Sequence, residues 1–168
     1  MKTYNHGDYT YTLKDDGWGV AINKDITDFN QKSYGEILSE IDGIPVTDMD
    51  GTFRGCTSLT EAPEIPGSVT NMYCTFEGCK SLTKAPAIPD GVENMGFTFK
   101  DCTSLTKAPK IPDSVKNMSA TFKGCTSLTE APEIPDGVEY MLCTFMGCTS
   151  LIKAPTIPDG VIEMRLHI

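Results

Sequence analysis

The residues able to do covalent or metal chemistry are seven cysteines and two histidines in a chain of 168 residues. A catalytic thiol needs a base within hydrogen-bond reach and a third group to orient that base. His6 and His167 lie in opposite terminal regions, so neither is expected to meet a central cysteine, and both read as surface residues. Zinc wants cysteines in closely spaced pairs, whereas Cys56, Cys79, Cys102, Cys125 and Cys148 follow one another at intervals of 23 residues. Asp48-Met49-Asp50-Gly51 resembles the start of a calcium loop but lacks the third ligand and the distal glutamate. No glycine-rich phosphate loop and no HExxH helix is present. These residue types point to no catalytic site, no cofactor and no metal, and the chain is read as a non-enzyme.

The cysteine interval belongs to a structural period. Phe53, Phe76, Phe99, Phe122 and Phe145 keep the same spacing of 23, as do Leu59 and Val69 with their successors, and each such valine is followed three residues later by a methionine. Val46 and Met49 add a half repeat upstream. A strict period of this length with apolar residues at fixed offsets signals a leucine-rich solenoid, in which one coil cannot bury its apolar face and must stack on its neighbours. Equivalent residues of adjacent coils then lie about 5 Å apart and parallel, too far for the ~3.8 Å between Cβ atoms that a disulfide requires. The five periodic cysteines are therefore expected to form a buried column of free thiols. Cys74 and Cys143 sit at another phase, three coils apart, and are the thiols open to modification if exposed.

The pattern VxxMxxTFxGCxSLTxAPxIP, running from Val46 to Met164, resembles the short Gly-Cys-containing leucine-rich repeats of BspA-like bacterial surface proteins. It departs from them in the segment after the leucine, LTEAPEIP, which carries an added proline and an alanine where a second aliphatic is usual. The resemblance implies a binding surface used in bacterial adhesion and host contact, and no chemistry. It also implies a cell-surface or secreted location. The opening residues MKTYNHGDYTYT lack the apolar core of a signal peptide, which points to the cytoplasm if the chain is complete as given.

The expected architecture is a short right-handed α/β leucine-rich repeat solenoid over residues 46–168, preceded by a capping region over residues 1–45. In the cap, Tyr9, Tyr11 and Leu13 alternate with polar residues, Asp16-Gly17 marks a turn, and Trp18, Val20 and Ile22 alternate again, a β-hairpin pattern. Ser33 with Glu36 ahead of Ile37, Leu38 and Ile41 predicts a short helix stopped by Gly43 and Pro45. Within each repeat, TFxGC predicts a turn of helical or 3₁₀ structure and SLTxAPxIP an extended edge, whose two prolines withhold ladder donors. No capping pattern follows the last repeat. Ile168 falls in the phase of the repeated phenylalanine, and the last coil is expected to support a weak homodimer.

The formal net charge of −9 argues against direct nucleic-acid or anionic-membrane binding, and no apolar run is long enough to insert into a bilayer. The partner is then another protein, and the residues to recognise it are those the repeat leaves free. One strip is Glu61 and Glu64, Lys84 and Ala87, Lys107 and Lys110, Glu130 and Glu133, Lys153 and Thr156. It reads either as cross-coil ion pairing or as a ligand face. The second strip precedes the phenylalanine and carries Tyr73, Phe97 and Leu142, apolar residues with no constancy from coil to coil, which either tuck between coils or form a partner patch. Two functions follow: a protein-binding module for bacterial surface or host contact, or an intracellular or phage-encoded acidic inhibitor that blocks an enzyme or a nucleic-acid groove.

Overall fold

A computed structural model describes residues 2–17, 19–23 and 30–165. Trp18 of the hairpin, the terminal His167, and Leu166 and Ile168 of the last coil lie outside them.

The expected hairpin is present, within a larger sheet. Strands β1 (Thr3–His6), β2 (Tyr9–Leu13) and β3 (Val20–Asn23) are antiparallel, with Leu13 opposite Val20 and Tyr11 opposite Ile22. Gly17 supplies the positive φ of the turn at 73°. Strand β5 (Ile44–Asp48) runs parallel to β3 and antiparallel to the short β4 (Glu40–Ile41), giving the order β1-β2-β3-β5-β4. Because β5 contains Val46 and Asp48, which also begin the repeat, the capping sheet and the solenoid share one strand.

The helix expected around Ser33–Ile41 does not form, and the described residues contain no helix at all. The reason lies in what the segment's backbone bonds to. Gly35 N–H donates to Asp8 Oδ2 at 2.8 Å, Gly35 C=O accepts from the Tyr9 hydroxyl at 2.8 Å, and Leu38 N–H donates to the Tyr11 hydroxyl at 3.1 Å. A helix this short is marginal by itself, and the side chains of Asp8, Tyr9 and Tyr11 take its backbone groups. Tyr34, Ile37 and Ile41 still reach the core.

The five coils, numbered by their phenylalanines from Phe53 to Phe145, are joined by a regular scheme. In the first four coils, from the methionine to the glycine position of TFxGC, alternate N–H groups donate to the next coil. Met49, Gly51, Phe53 and Gly55 bond the carbonyls of Asn71, Tyr73, Thr75 and Glu77 at 2.9, 2.8, 2.8 and 2.7 Å. The residues between them fold back, Thr52, Arg54 and Cys56 donating to carbonyls three positions earlier at 3.1, 3.1 and 3.0 Å. The segment is thus a chain of turns, satisfied partly within and partly between coils. Parallel bridges follow the line Asp48–Asn71–Asn94–Asn117–Tyr140, which ends in a short pair of strands, β6 (Tyr140–Leu142) and β7 (Glu163–Arg165). In SLTxAPxIP only single bridges, Glu61–Lys84–Lys107, are found, as its prolines dictate.

Side chains stitch the same interfaces from within. The five phenylalanine rings stack with centroids 5.3, 5.6, 5.7 and 5.7 Å apart and nearly parallel planes. The cap closes the stack at Phe53 with Tyr9, edge-on at 6.1 Å, and Tyr34 at 5.3 Å. The threonine before each phenylalanine is buried, and from the second coil onward its hydroxyl bonds a methionine carbonyl of the preceding coil, Thr75 to Met49 at 2.9 Å and Thr121 to Met95 at 2.7 Å. Beside them the periodic thiols Cys79, Cys102, Cys125 and Cys148 donate to the carbonyls of Phe53, Phe76, Phe99 and Phe122 at 3.2, 3.1, 3.0 and 3.0 Å. All seven cysteines are free, and the column is buried. In the first coil, where no earlier phenylalanine precedes it, Cys56 Sγ is met at 3.4 Å by the Tyr34 hydroxyl of the cap.

Candidate binding surface

All ten residues of the charged strip are exposed. Among the described residues no ion pair within 4 Å joins any of them, although Glu61, Lys84 and Lys107 are bridge partners on adjacent coils. The cross-coil pairing that would have made this strip purely structural is absent. Successive LTxAPxIP segments instead leave grooves between them. One of about 500 Å³ lies between the second and third coils, with Lys84, Lys107 and Lys110 at its rim and Pro86 and Pro109 in its lining. Another of about 600 Å³ lies between the fourth and fifth, with Glu130, Glu133 and Lys153 at its rim and Pro132 and Pro155 in its lining.

The second strip is divided. Tyr73 and Phe97 are half-buried and pack on each other with ring centroids 5.4 Å apart, and Lys100 Nζ lies 5.7 Å from the Phe97 centroid. Leu142 is half-buried two coils beyond Phe97 and forms part of β6. These side chains are largely spent on intercoil packing. Phe97 also occupies a strained position: Gly51, Cys74, Phe97, Ala120 and Cys143 share one phase of the repeat, all with φ between 52° and 60°.

Beside this strip lies a cluster that periodicity did not reveal. Glu77 Oε1 accepts from Lys100 Nζ at 2.8 Å, and Oε2 lies 2.9 Å from Arg54 Nε without the alignment of a hydrogen bond. Burial pushes the Glu77 carboxyl up, but hydrogen bonds from Lys100 and Cys74 and the charges of Lys100 and Arg54 outweigh it and hold the group below its ordinary value. The Cys74 thiol is pushed up to about 11, first by burial and then by Glu77. Arg54, Glu77 and Lys100 occupy the variable position of TFxGC in consecutive coils, so the triad ties three coils together and leaves no free group for chemistry. Asp48 is likewise structural, its Oδ1 accepting from Asp50 N–H at 3.0 Å and Asn71 Nδ2 at 2.9 Å.

Sequence reasoning also passed over the exposed aliphatics. Ile152 is 83% and Ile162 73% exposed, with Tyr140 at 40%. Their signal was available as breaks in the repeat. Ile152 stands where earlier coils have Thr60, Thr83, Thr106 and Thr129, and Ile162 where they have Thr70, Glu93, Lys116 and Glu139.

A stacked-coil frame with a constant interior and an exposed, variable face is the build of a repeat solenoid. Residues 49–167 match the model of the BspA type leucine-rich repeat region in six copies, and the chain belongs to that family. Among solved structures it is similar to a leucine-rich repeat protein from Bacteroides ovatus at 25% identity and a TM-score of 0.70, over 94% of this chain and 42% of that one. A leucine-rich cell surface protein from Faecalibacterium prausnitzii matches at 19% identity and a TM-score of 0.50, over 93% of this chain and 54% of that one. A leucine-rich repeat protein of T. pallidum matches at 23% identity and a TM-score of 0.48, over 86% of this chain and 88% of that one. The chain thus spans less than half the length of the Bacteroides protein. No curated protein matches it.

Proposed function

We propose that the chain is a protein-binding module of a bacterial surface or host-contact protein, and that it binds through the LTxAPxIP face. The observation that carries this reading is the unpaired charge. Glu61, Glu64, Lys84, Lys107, Lys110, Glu130 and Glu133 are exposed without ion-pair partners on a frame whose remaining positions are nearly constant. Nothing in the fold needs these side chains, so their pattern is free to be set by a partner. Family membership supports a surface role, and the net charge of −9 makes the partner a protein rather than a nucleic acid.

The test is capture by immobilised protein from host-cell surface extract and from bacterial lysate. It is run with the wild type and with a variant carrying serine at Lys84, Lys107, Lys110, Glu130 and Glu133. A captured protein that the variant loses, at unchanged circular dichroism, supports the reading. Capture that survives the five substitutions sinks the assignment of this face, and capture from lysate alone favours the inhibitor reading. The expected pairing of two copies through the last coil is supported by the exposure of Ile162; light scattering on the wild type and an Ile162→Lys variant tests it, and a monomer in both refutes it.

A further inference from the structure

The repeat builds one groove twice with opposite charge. The rim between the second and third coils carries Lys84, Lys107 and Lys110 against Asp90, while that between the fourth and fifth carries Glu130, Glu133 and Asp136 against Lys153. Both are lined by two Ala-Pro pairs, with Ile88 and Pro112 in one and Ile134 and Pro158 at the same positions of the other, so the difference lies in the rim. A second difference is apolar. At the acidic groove the position held by threonine in the four earlier coils is Ile152, which lines the groove and is 83% exposed. An aliphatic this open to water contributes nothing to the stability of the solenoid, and covering it is favourable. Pro132 and Pro155 offer no backbone N–H in the lining, which disfavours adding a partner strand to this segment and puts recognition on side chains.

We infer that the groove between the fourth and fifth coils docks a partner segment with lysine or arginine on either side of an aliphatic residue. The cations face Glu130, Glu133 and Asp136, and the aliphatic side chain covers Ile152. The inference rests on the protein-binding reading above and adds the chemistry of the partner. The acidic rim supplies charge complementarity, which steers encounter and rejects acidic segments, and the isoleucine supplies apolar burial.

The experiment titrates the full chain, labelled at isoleucine methyl groups, with two short glycine-flanked peptides, one Lys-Leu-Lys and one Glu-Leu-Glu, and follows the methyl resonances. The lysine peptide is expected to shift Ile152 and Ile134 saturably, and the glutamate peptide is not. Glu130→Lys with Glu133→Lys should weaken binding roughly tenfold and Ile152→Thr roughly threefold. Glu61→Lys with Glu64→Lys makes the same change in net charge at the same repeat positions of the first coil, and should alter the affinity by less than about twofold. The inference is overturned if the lysine peptide leaves Ile152 unshifted, if the glutamate peptide binds as well, or if the first-coil variant weakens binding as much as the fourth-coil one. Capture of a partner that depends on Lys84, Lys107 and Lys110, with no effect of the peptide, would remove this inference and leave the binding-module reading standing.

Discussion

Raising the pH to about 9.5 should cost this protein several kcal/mol of folding free energy, because the coil interfaces are built from thiols that must stay protonated. Cys79, Cys102, Cys125 and Cys148 are at most 1% exposed, and burial, the largest cause at each, pushes all four thiols up, Cys148 to about 11, Cys79 and Cys125 further, and Cys102 well above its ordinary value. In the unfolded chain they titrate near 8.5. Folded-state values above the unfolded ones mean that the stabilisation is fully present below the ordinary thiol range. It is lost as the pH rises from there toward the folded values. About one pH unit above 8.5, each unfolded thiol has released its proton while its folded counterpart holds on, a cost of about 1.4 kcal/mol per thiol and about 5–6 kcal/mol for four. That equals the whole stability of many domains, ~5–15 kcal/mol. Urea unfolding followed by circular dichroism under reductant, at about pH 7.5, 8.5 and 9.5, measures it, and most of the loss should fall in the last step. Cys79→Ala with Cys125→Ala should remove about 3 kcal/mol of this pH-dependent loss, whatever it does to stability at neutral pH. A stability flat to within about 1 kcal/mol over this range, or an undiminished slope in the double variant, would refute the account of the column.

Alkylation of the native protein at neutral pH should modify Cys143 first, the one cysteine that is not buried. The column should react only on denaturation, and mass spectrometry without reductant should find no bridge between coils. Thr98→Val, isosteric and fully buried, removes the hydroxyl that bonds Met72 O at 2.7 Å and Met95 O at 2.8 Å; urea titration should show a loss of about 1–2 kcal/mol. Asp101→Gly should act in the opposite direction. The third coil has Asp101 at φ 58° where the other coils have Gly55, Gly78, Gly124 and Gly147 at 75–79°, so glycine relieves left-handed strain, and a gain of about 0.5–1 kcal/mol is expected in the same titration.

The period of 23 made the stacking legible because every constant residue recurs at one phase. Phe, Cys, Leu, Val and Met are read directly as the buried column they form. What periodicity could not convey is which atoms face which. Cysteine reads as a small hydrophobe, yet the thiols of Cys79, Cys102, Cys125 and Cys148 also donate to a phenylalanine carbonyl of the preceding coil. The threonine of TFxGC reads as polar surface and is a buried staple. The sequence places the extended edge in SLTxAPxIP, its prolines withholding ladder donors, while the bridged line lies mainly at Asp48, Asn71, Asn94 and Asn117. The asparagines Asn71, Asn94 and Asn117 also close a turn there, each Oδ1 accepting the N–H two residues on. The helix over Ser33–Ile41 failed because a capping-box pattern states a local preference, and the hydroxyls of Tyr9 and Tyr11 supplied the segment's backbone with other partners. At the candidate surface the ten residues of the charged strip were visible as positions the repeat does not hold constant. Tyr73 and Phe97 shared that variability but pack on each other, a contact between neighbouring coils that offset counting cannot foresee.

The stitching also limits which positions are free to vary. In the first four coils the methionine-to-glycine segment is committed to forward backbone bonds, while from the second coil onward threonine and cysteine are committed to carbonyls of the coil before. Phenylalanine is held by two rings, and the positive-φ phase by its backbone conformation. A substitution at any of these is felt by two coils, because stability in a solenoid is a sum over neighbouring interfaces. The first coil obeys the same demand and meets it with the cap, Tyr34 and Tyr9 standing in for a preceding coil against Cys56 and Phe53. The side chains at the variable positions of LTxAPxIP carry no such commitment. They can change charge from coil to coil at almost no cost to folding, and a face whose side chains cost the fold nothing is where selection by a partner can act.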